Sequence, residues 1–131
     1  MSIPLRVLLV EDSEDDALLL LRELQRGDYE VTFERIDTPT AMKTAIAGQT
    51  WDIVICDYSM PTFSAPAALK QVKESGLDLP FIIVSGTIGE DTAVAAMKAG
   101  AHDYIIKGNL ARLTPAVARE LREALVQRGV S

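Results

Sequence analysis

Three carboxylates, one amine and one hydroxyl recur at the same kind of place in this chain. Glu11 and Asp12 follow the apolar run RVLLV, and Asp57 follows DIVIC. Ser85 closes FIIVS, and Lys107 closes YIIK. An acid at the end of a buried run is costly unless its charge is used. If the three acids converge to ~5 Å, each pair repels by about 3 kcal/mol at an effective dielectric of ~20. A divalent cation offsets that repulsion. So few carboxylates, with room left for water and phosphate oxygens, suit Mg²⁺ better than Ca²⁺.

Each residue also has a plainer reading. Asp57 alone, ahead of Pro61, can be a strand-end turn former. Glu11-Asp12-Ser13 can simply cap a helix, because acids favour its N-terminus. Lys107 can be a surface lysine, Ser85 a strand-end serine before Gly86, and Tyr104 half-buried packing. His102, the lone histidine, is expected in a turn and solvated. With the single Cys56 inside an apolar run, it leaves no zinc set. SGTIGE is not followed by the Gly-Lys-Ser/Thr of a phosphate loop, and GxSxG is absent.

The elements that must position these residues alternate regularly. Candidate strands are 6–10, 31–36, 52–56, 81–85 and 104–107. Four are nearly continuous apolar runs, the pattern of strands covered on both faces, and 31–36 alternates like an edge strand. Ser13 followed by Asp16 predicts a capping box, with Ala17, Leu20, Leu21 and Leu24 on one face and Gly27 as the stop. Thr38-Pro39 opens a helix that ends at Gly48, Pro66 and Gly76 punctuate another, and Gly100 closes a fourth. The last helix starts at Thr114-Pro115 and turns Val117, Leu121 and Ala124 inward. The fold class is therefore α/β: a doubly wound five-stranded parallel sheet with helices on both faces, flavodoxin-like. Ligands of such sheets sit beyond the carboxyl ends of the strands.

The 131 residues fit a single domain, 1–131, with no repeat or linker. A net charge of −6 without a basic cluster argues against nucleic-acid binding. No apolar run reaches the ~18 residues of a membrane helix, and the N-terminal run is too short for a signal peptide. A reducing cytoplasm is the expected compartment.

An acidic pair, an aspartate, a Ser/Thr and a lysine at the ends of strands one, three, four and five make the whole chain resemble the receiver domain of two-component response regulators. Met60-Pro61 after the aspartate and Tyr104 before the lysine also fit. The resemblance implies that Asp57 is the phosphoacceptor, taking a phosphoryl group from a histidine kinase or phosphotransfer protein. Asp12 would ligate Mg²⁺ directly and Glu11 through water, with Asp57 and the Ser59 backbone carbonyl completing the protein's share. Lys107 would pair with Asp57 at rest and with a phosphoryl oxygen afterwards, and the Ser85 hydroxyl would donate to another. Output would follow from a shift of the SGTIGED loop and an inward turn of Tyr104, acting on a downstream output domain or protein. A homodimer through the fourth and fifth helices fits the family.

Two positions depart from the family pattern. Lys107 is followed by Gly108 rather than proline, and Ala65 stands where a glycine is usual. SGTIGEDTAVAAMKAGAHDYIIKGNLARL resembles receivers coupled to sensor kinases or to cyclic-nucleotide signalling modules, which suits one module of a larger protein or a single-domain shuttle. The chain reads as a phosphoacceptor rather than a turnover enzyme. An aspartate-nucleophile phosphatase would need a second acid where Ser59 stands. A flavin binder would need hydroxyls in the acidic first loop. A receiver-like interaction module that is never phosphorylated remains an open reading.

Overall fold

Why the sheet forms is visible in the alternation of its buried strands. The computed structural model describes residues 2–86 and 89–127. Positions 87–88 of the SGTIGED loop and the end of the tail, from 128, lie outside the described residues. In chain order the elements are β1 (Ile3–Val10), α1 (Glu14–Arg26), β2 (Tyr29–Ile36), α2 (Pro39–Gly48), β3 (Ile53–Asp57), α3 (Ala65–Glu74), β4 (Phe81–Ser85), α4 (Glu90–Ala99), β5 (Asp103–Ile106) and α5 (Leu113–Gln127). A 3₁₀ turn, Lys107–Arg112, joins β5 to α5.

All strand pairings among the described residues are parallel, in the order β2-β1-β3-β4-β5. The chain therefore starts in β1, winds outward to β2, and returns past β1 to build β3, β4 and β5. Odd-numbered residues of β1 and β3 (Val7, Leu9, Ile53, Ile55) pack against Ala17, Leu20, Leu21 and Leu24 of α1 and Val117 of α5. Even-numbered ones (Leu8, Val10, Val54, Cys56) pack against Met42 of α2, Leu69 and Val72 of α3 and Ala96 of α4. The strands thus bury both faces, as the continuous apolar runs require. β2 lies at one edge, as its alternation predicts.

The helix punctuation matches the sequence at most ends. Thr38 and Ser64 accept from the N–H groups of Ala41 and Ala67 at 3.1 and 3.2 Å. Gly100 closes α4 with φ 115°, a conformation open to glycine. Ala65 is fully buried as the first residue of α3, so its methyl group is accommodated in that turn.

Three expectations are corrected. Lys107 is the first residue of the 3₁₀ turn rather than the last of β5, and its bond to Gly108 is trans. The box at the start of α1 is only half made. The Asp16 N–H donates to Ser13 Oγ at 3.2 Å, but the Ser13 N–H goes to Glu11 Oε1 at 3.1 Å, not to Asp16. His102 is half-buried rather than solvated: its Nδ1 accepts from the Phe81 N–H at 3.0 Å, and its own N–H donates to Phe81 O at 2.8 Å.

At the opposite end of the sheet, Trp51 is buried just ahead of β3. Its indole N–H donates to Ala45 O at 3.0 Å, and the Arg6 guanidinium stands over its ring at 5.9 Å.

Candidate functional site

β1 and β3 are neighbours, and both run out at the carboxyl edge on the side where strand order reverses. That places Glu11 and Asp12, directly after Val10, beside Asp57 at the end of β3. One carboxylate oxygen from each of the three lies within 4.8 Å of the others, a set able to hold a metal ion. Glu11 and Asp57 are buried, at 1% and 5% exposure, while Asp12 is exposed. The set is anchored from below. The Glu11 N–H donates to Ile36 O at 3.0 Å, and Arg35 of β2 donates to the Glu11 carbonyl at 3.2 Å. The Ser59 N–H donates to Asp57 Oδ1 at 3.3 Å.

Lys107 reaches this set from the far side of the sheet. Its Nζ lies 3.5 Å from Asp57 Oδ1, 3.3 Å from Glu11 Oε2 and 2.7 Å from Asp16 Oδ2. Burial works against its charge. The hydrogen bond to Asp16 and the charges of Glu11, Asp57 and Asp16 together outweigh burial and raise its pKa.

Asp16 is the participant that sequence reasoning missed. Its place in a helix-capping pattern hid it, and the signal was available only in the spacing. With Ser13 as N-cap, the first turn of α1 carries Asp16 to Lys107.

Glu11 shows the electrostatic cost of the arrangement. Burial is the main cause that pushes its pKa from 4.5 up to about 7. The Asp57 charge adds to the rise, and the Ser13 N–H and Lys107 oppose it. The folded state therefore holds a proton on Glu11 that the unfolded chain releases at lower pH. Folding stability is then lost as pH rises from 4.5 to about 7. Relative to Glu11→Gln, which has no such proton, wild type is expected to lose as much as about 3 kcal/mol across this window without divalent cations. Urea denaturation of both proteins over a pH series checks it; parallel curves would refute it.

Ser85, at the end of β4, is fully buried. Tyr104 of β5 lies on the same face of the sheet, since Ile83 pairs with Tyr104 and Ser85 with Ile106. The Tyr104 ring is already directed inward and buried, and its hydroxyl lacks a well-formed hydrogen bond among the described residues. Burial pushes its phenol pKa up, while the adjacent Ser85 side chain works the other way. Cys56 is buried beneath the site, and burial holds its thiol well above the usual range, so it is inert packing.

The geometry is that of an acid cluster with one shared amine. The family described as the response regulator receiver domain matches residues 7–118. This chain belongs to that family. It is 30% identical to the transcriptional regulatory protein PrrA of Mycobacterium tuberculosis over 102 residues, 78% of this chain and 43% of PrrA. It is 32% identical to the transcriptional regulatory protein ZraR of Escherichia coli over 101 residues, 76% of this chain and 22% of ZraR. The receiver thus spans less than half the length of these curated relatives. Among solved structures, a signal receiver domain from Vibrio parahaemolyticus superposes with a TM-score of 0.84 at 27% identity, covering 98% of both chains. A response regulator receiver domain protein from Clostridium thermocellum, at 21% identity and a TM-score of 0.79, shares the fold; 94% of this chain and 98% of that one are covered. Among the described residues no helix of this receiver is long and apolar enough to cross a membrane.

Proposed function

We propose that this receiver is a Mg²⁺-dependent phosphoacceptor that takes a phosphoryl group onto Asp57 and changes a protein-interaction face in response. The observation that carries the proposal is the meeting of Glu11, Asp12 and Asp57 within 4.8 Å, with Lys107 3.5 Å from Asp57. In the transfer an Asp57 carboxylate oxygen forms a new bond to phosphorus. The bond from phosphorus to the donor breaks, and the donor leaves with that electron pair. From phosphohistidine the leaving group is imidazole; from acetyl phosphate it is acetate. Such transfer is mostly positioning and charge neutralisation, which this small set of groups supplies.

The donor set fits Mg²⁺: hard carboxylate oxygens, few in number, one of them exposed. Asp12 and Asp57 would hold the ion, with Glu11 acting through water and the Ser59 carbonyl completing the set. The bound ion would supply neutralisation of the phosphoryl oxygens. Lys107 donates to one of those oxygens and Ser85 to another. Tyr104, packed beside Ser85 from the next strand, couples that hydrogen bond to the surface of α4 and β5. Val94, Met97 and Ile106, all exposed there, support it as the output face and as a surface for a homodimer. The donor partner is a histidine kinase or phosphotransfer protein. The output partner is a protein or an attached domain, since the relatives are transcriptional regulators with further sequence. The net charge of −6 supports reading through that partner rather than direct nucleic-acid contact.

The test is adduct formation. Acetyl phosphate or beryllofluoride with Mg²⁺ is expected to yield one adduct per chain, detected by mass spectrometry or ¹⁹F NMR and lost when EDTA is present. A chain that takes none, with saturating Mg²⁺ and donor, is the non-phosphorylated interaction module instead.

A further inference from the structure

We infer that Asp16 is a positioning residue that holds Lys107 toward α1 and restrains the site's acceptance of a phosphoryl group. The inference rests on the phosphoacceptor reading above and deepens it. An ammonium has three N–H donors, and here three carboxylates surround it, so its position is set by the shortest contacts. The shortest contact, 2.7 Å, goes to Asp16; Glu11 follows at 3.3 Å, and both are hydrogen bonds. Asp57, the acceptor, comes last, in an ion pair at 3.5 Å.

Asp16 is held for this task by the local structure. Its backbone N–H is fixed by Ser13 Oγ, and the reciprocal capping position is filled by Glu11. The Asp16 carboxylate is thereby left to Lys107. Its side chain is 37% exposed, so the fold does not depend on burying it.

When acetyl phosphate reacts, the Asp57 oxygen bonds to phosphorus, and acetate departs with the electrons of its former bond. The phosphoryl oxygens then need a donor from Lys107. To supply one, the amine must shift toward Asp57, away from the position in which its shortest contact, a charge-assisted bond to Asp16, holds it. Asp16 also adds a further negative charge facing an anionic donor. Both effects act against transfer, and both vanish when the side chain is neutral.

The experiment compares Asp16→Asn, Asp16→Ala and Asp16→Glu. The first two are expected to take beryllofluoride more tightly, and to react faster with acetyl phosphate at saturating Mg²⁺, by roughly 3- to 10-fold. Asp16→Glu keeps the charge and is expected to stay near wild type. A readout independent of phosphorylation is the urea midpoint. Its drop on Asp16→Asn should be larger with Lys107 present than in a Lys107→Met background. If wild type forms the adduct and Asp16→Asn is equal or slower, the restraint is overturned and the phosphoacceptor reading stands. Equal midpoint drops in the two backgrounds would show that Asp16 does not act through Lys107, and would overturn it too. If wild type forms no Mg²⁺-dependent adduct, both fall together.

Discussion

Asp57→Asn is expected to abolish the acyl-phosphate adduct and, in the same protein, to raise the stability of the fold. The amide oxygen is a far weaker nucleophile than a carboxylate, so labelling by acetyl phosphate should fall by at least about 100-fold. The stability gain follows from the company Asp57 keeps. At the 4.8 Å limit and an effective dielectric of ~20, one carboxylate pair costs about 3.5 kcal/mol, and Asp57 belongs to two such pairs, about 7 kcal/mol in all. Lys107 at 3.5 Å returns about 5 kcal/mol on the same scale. Exposure of Asp12 screens its share, so the net gain is expected to be about 1 kcal/mol at pH 8 without divalent cations. Added Mg²⁺ should stabilise wild type and leave the variant nearly unmoved. Urea denaturation with and without Mg²⁺ reads both effects. A variant that still labels, or one less stable than wild type in EDTA, would contradict this account of the site.

Lys107→Met is expected to act on both quantities in the opposite sense for stability. The methionine keeps an apolar stem of similar reach but removes the cation shared by Glu11, Asp16 and Asp57. Loss of one donor aimed at developing charge lowers transfer by about 100-fold. Breaking a buried pair leaves an uncompensated charge, but the lysine side chain is 22% exposed, which moderates the cost. A loss of about 1–3 kcal/mol at pH 8 is expected, shrinking toward pH 6 as Glu11 takes up a proton. Stopped reaction with acetyl phosphate and denaturation at the two pH values check it. If the loss is the same at both, Glu11 is not the group that absorbs the missing charge.

The strands were legible because burial on both faces leaves little room for polar residues. The acids and the lysine were legible because each interrupts such a run at its carboxyl end. What escaped was side-chain competition. Asp16 looked like a capping residue because sequence records its distance from Ser13 and not its distance from Lys107, 91 positions away. His102 looked solvated because its neighbours are turn residues, yet backbone groups of Phe81 claim both its ring and its N–H. β1 also begins earlier than its apolar run. Ile3 and Pro4 pair with Tyr29 and Glu30 of β2 at the exposed start of the strand, where Pro4 reads as a break.

Trp51, the chain's sole tryptophan, has a practical consequence for anyone measuring this receiver. Six steps of extended chain at about 3.3 Å each lead from it to Asp57, placing the chromophore ~20 Å from the acid cluster. Its emission should report global unfolding cleanly, yet stay silent on cation titration or adduct formation. An optical assay of occupancy calls for a fluorophore installed near the opposite pole.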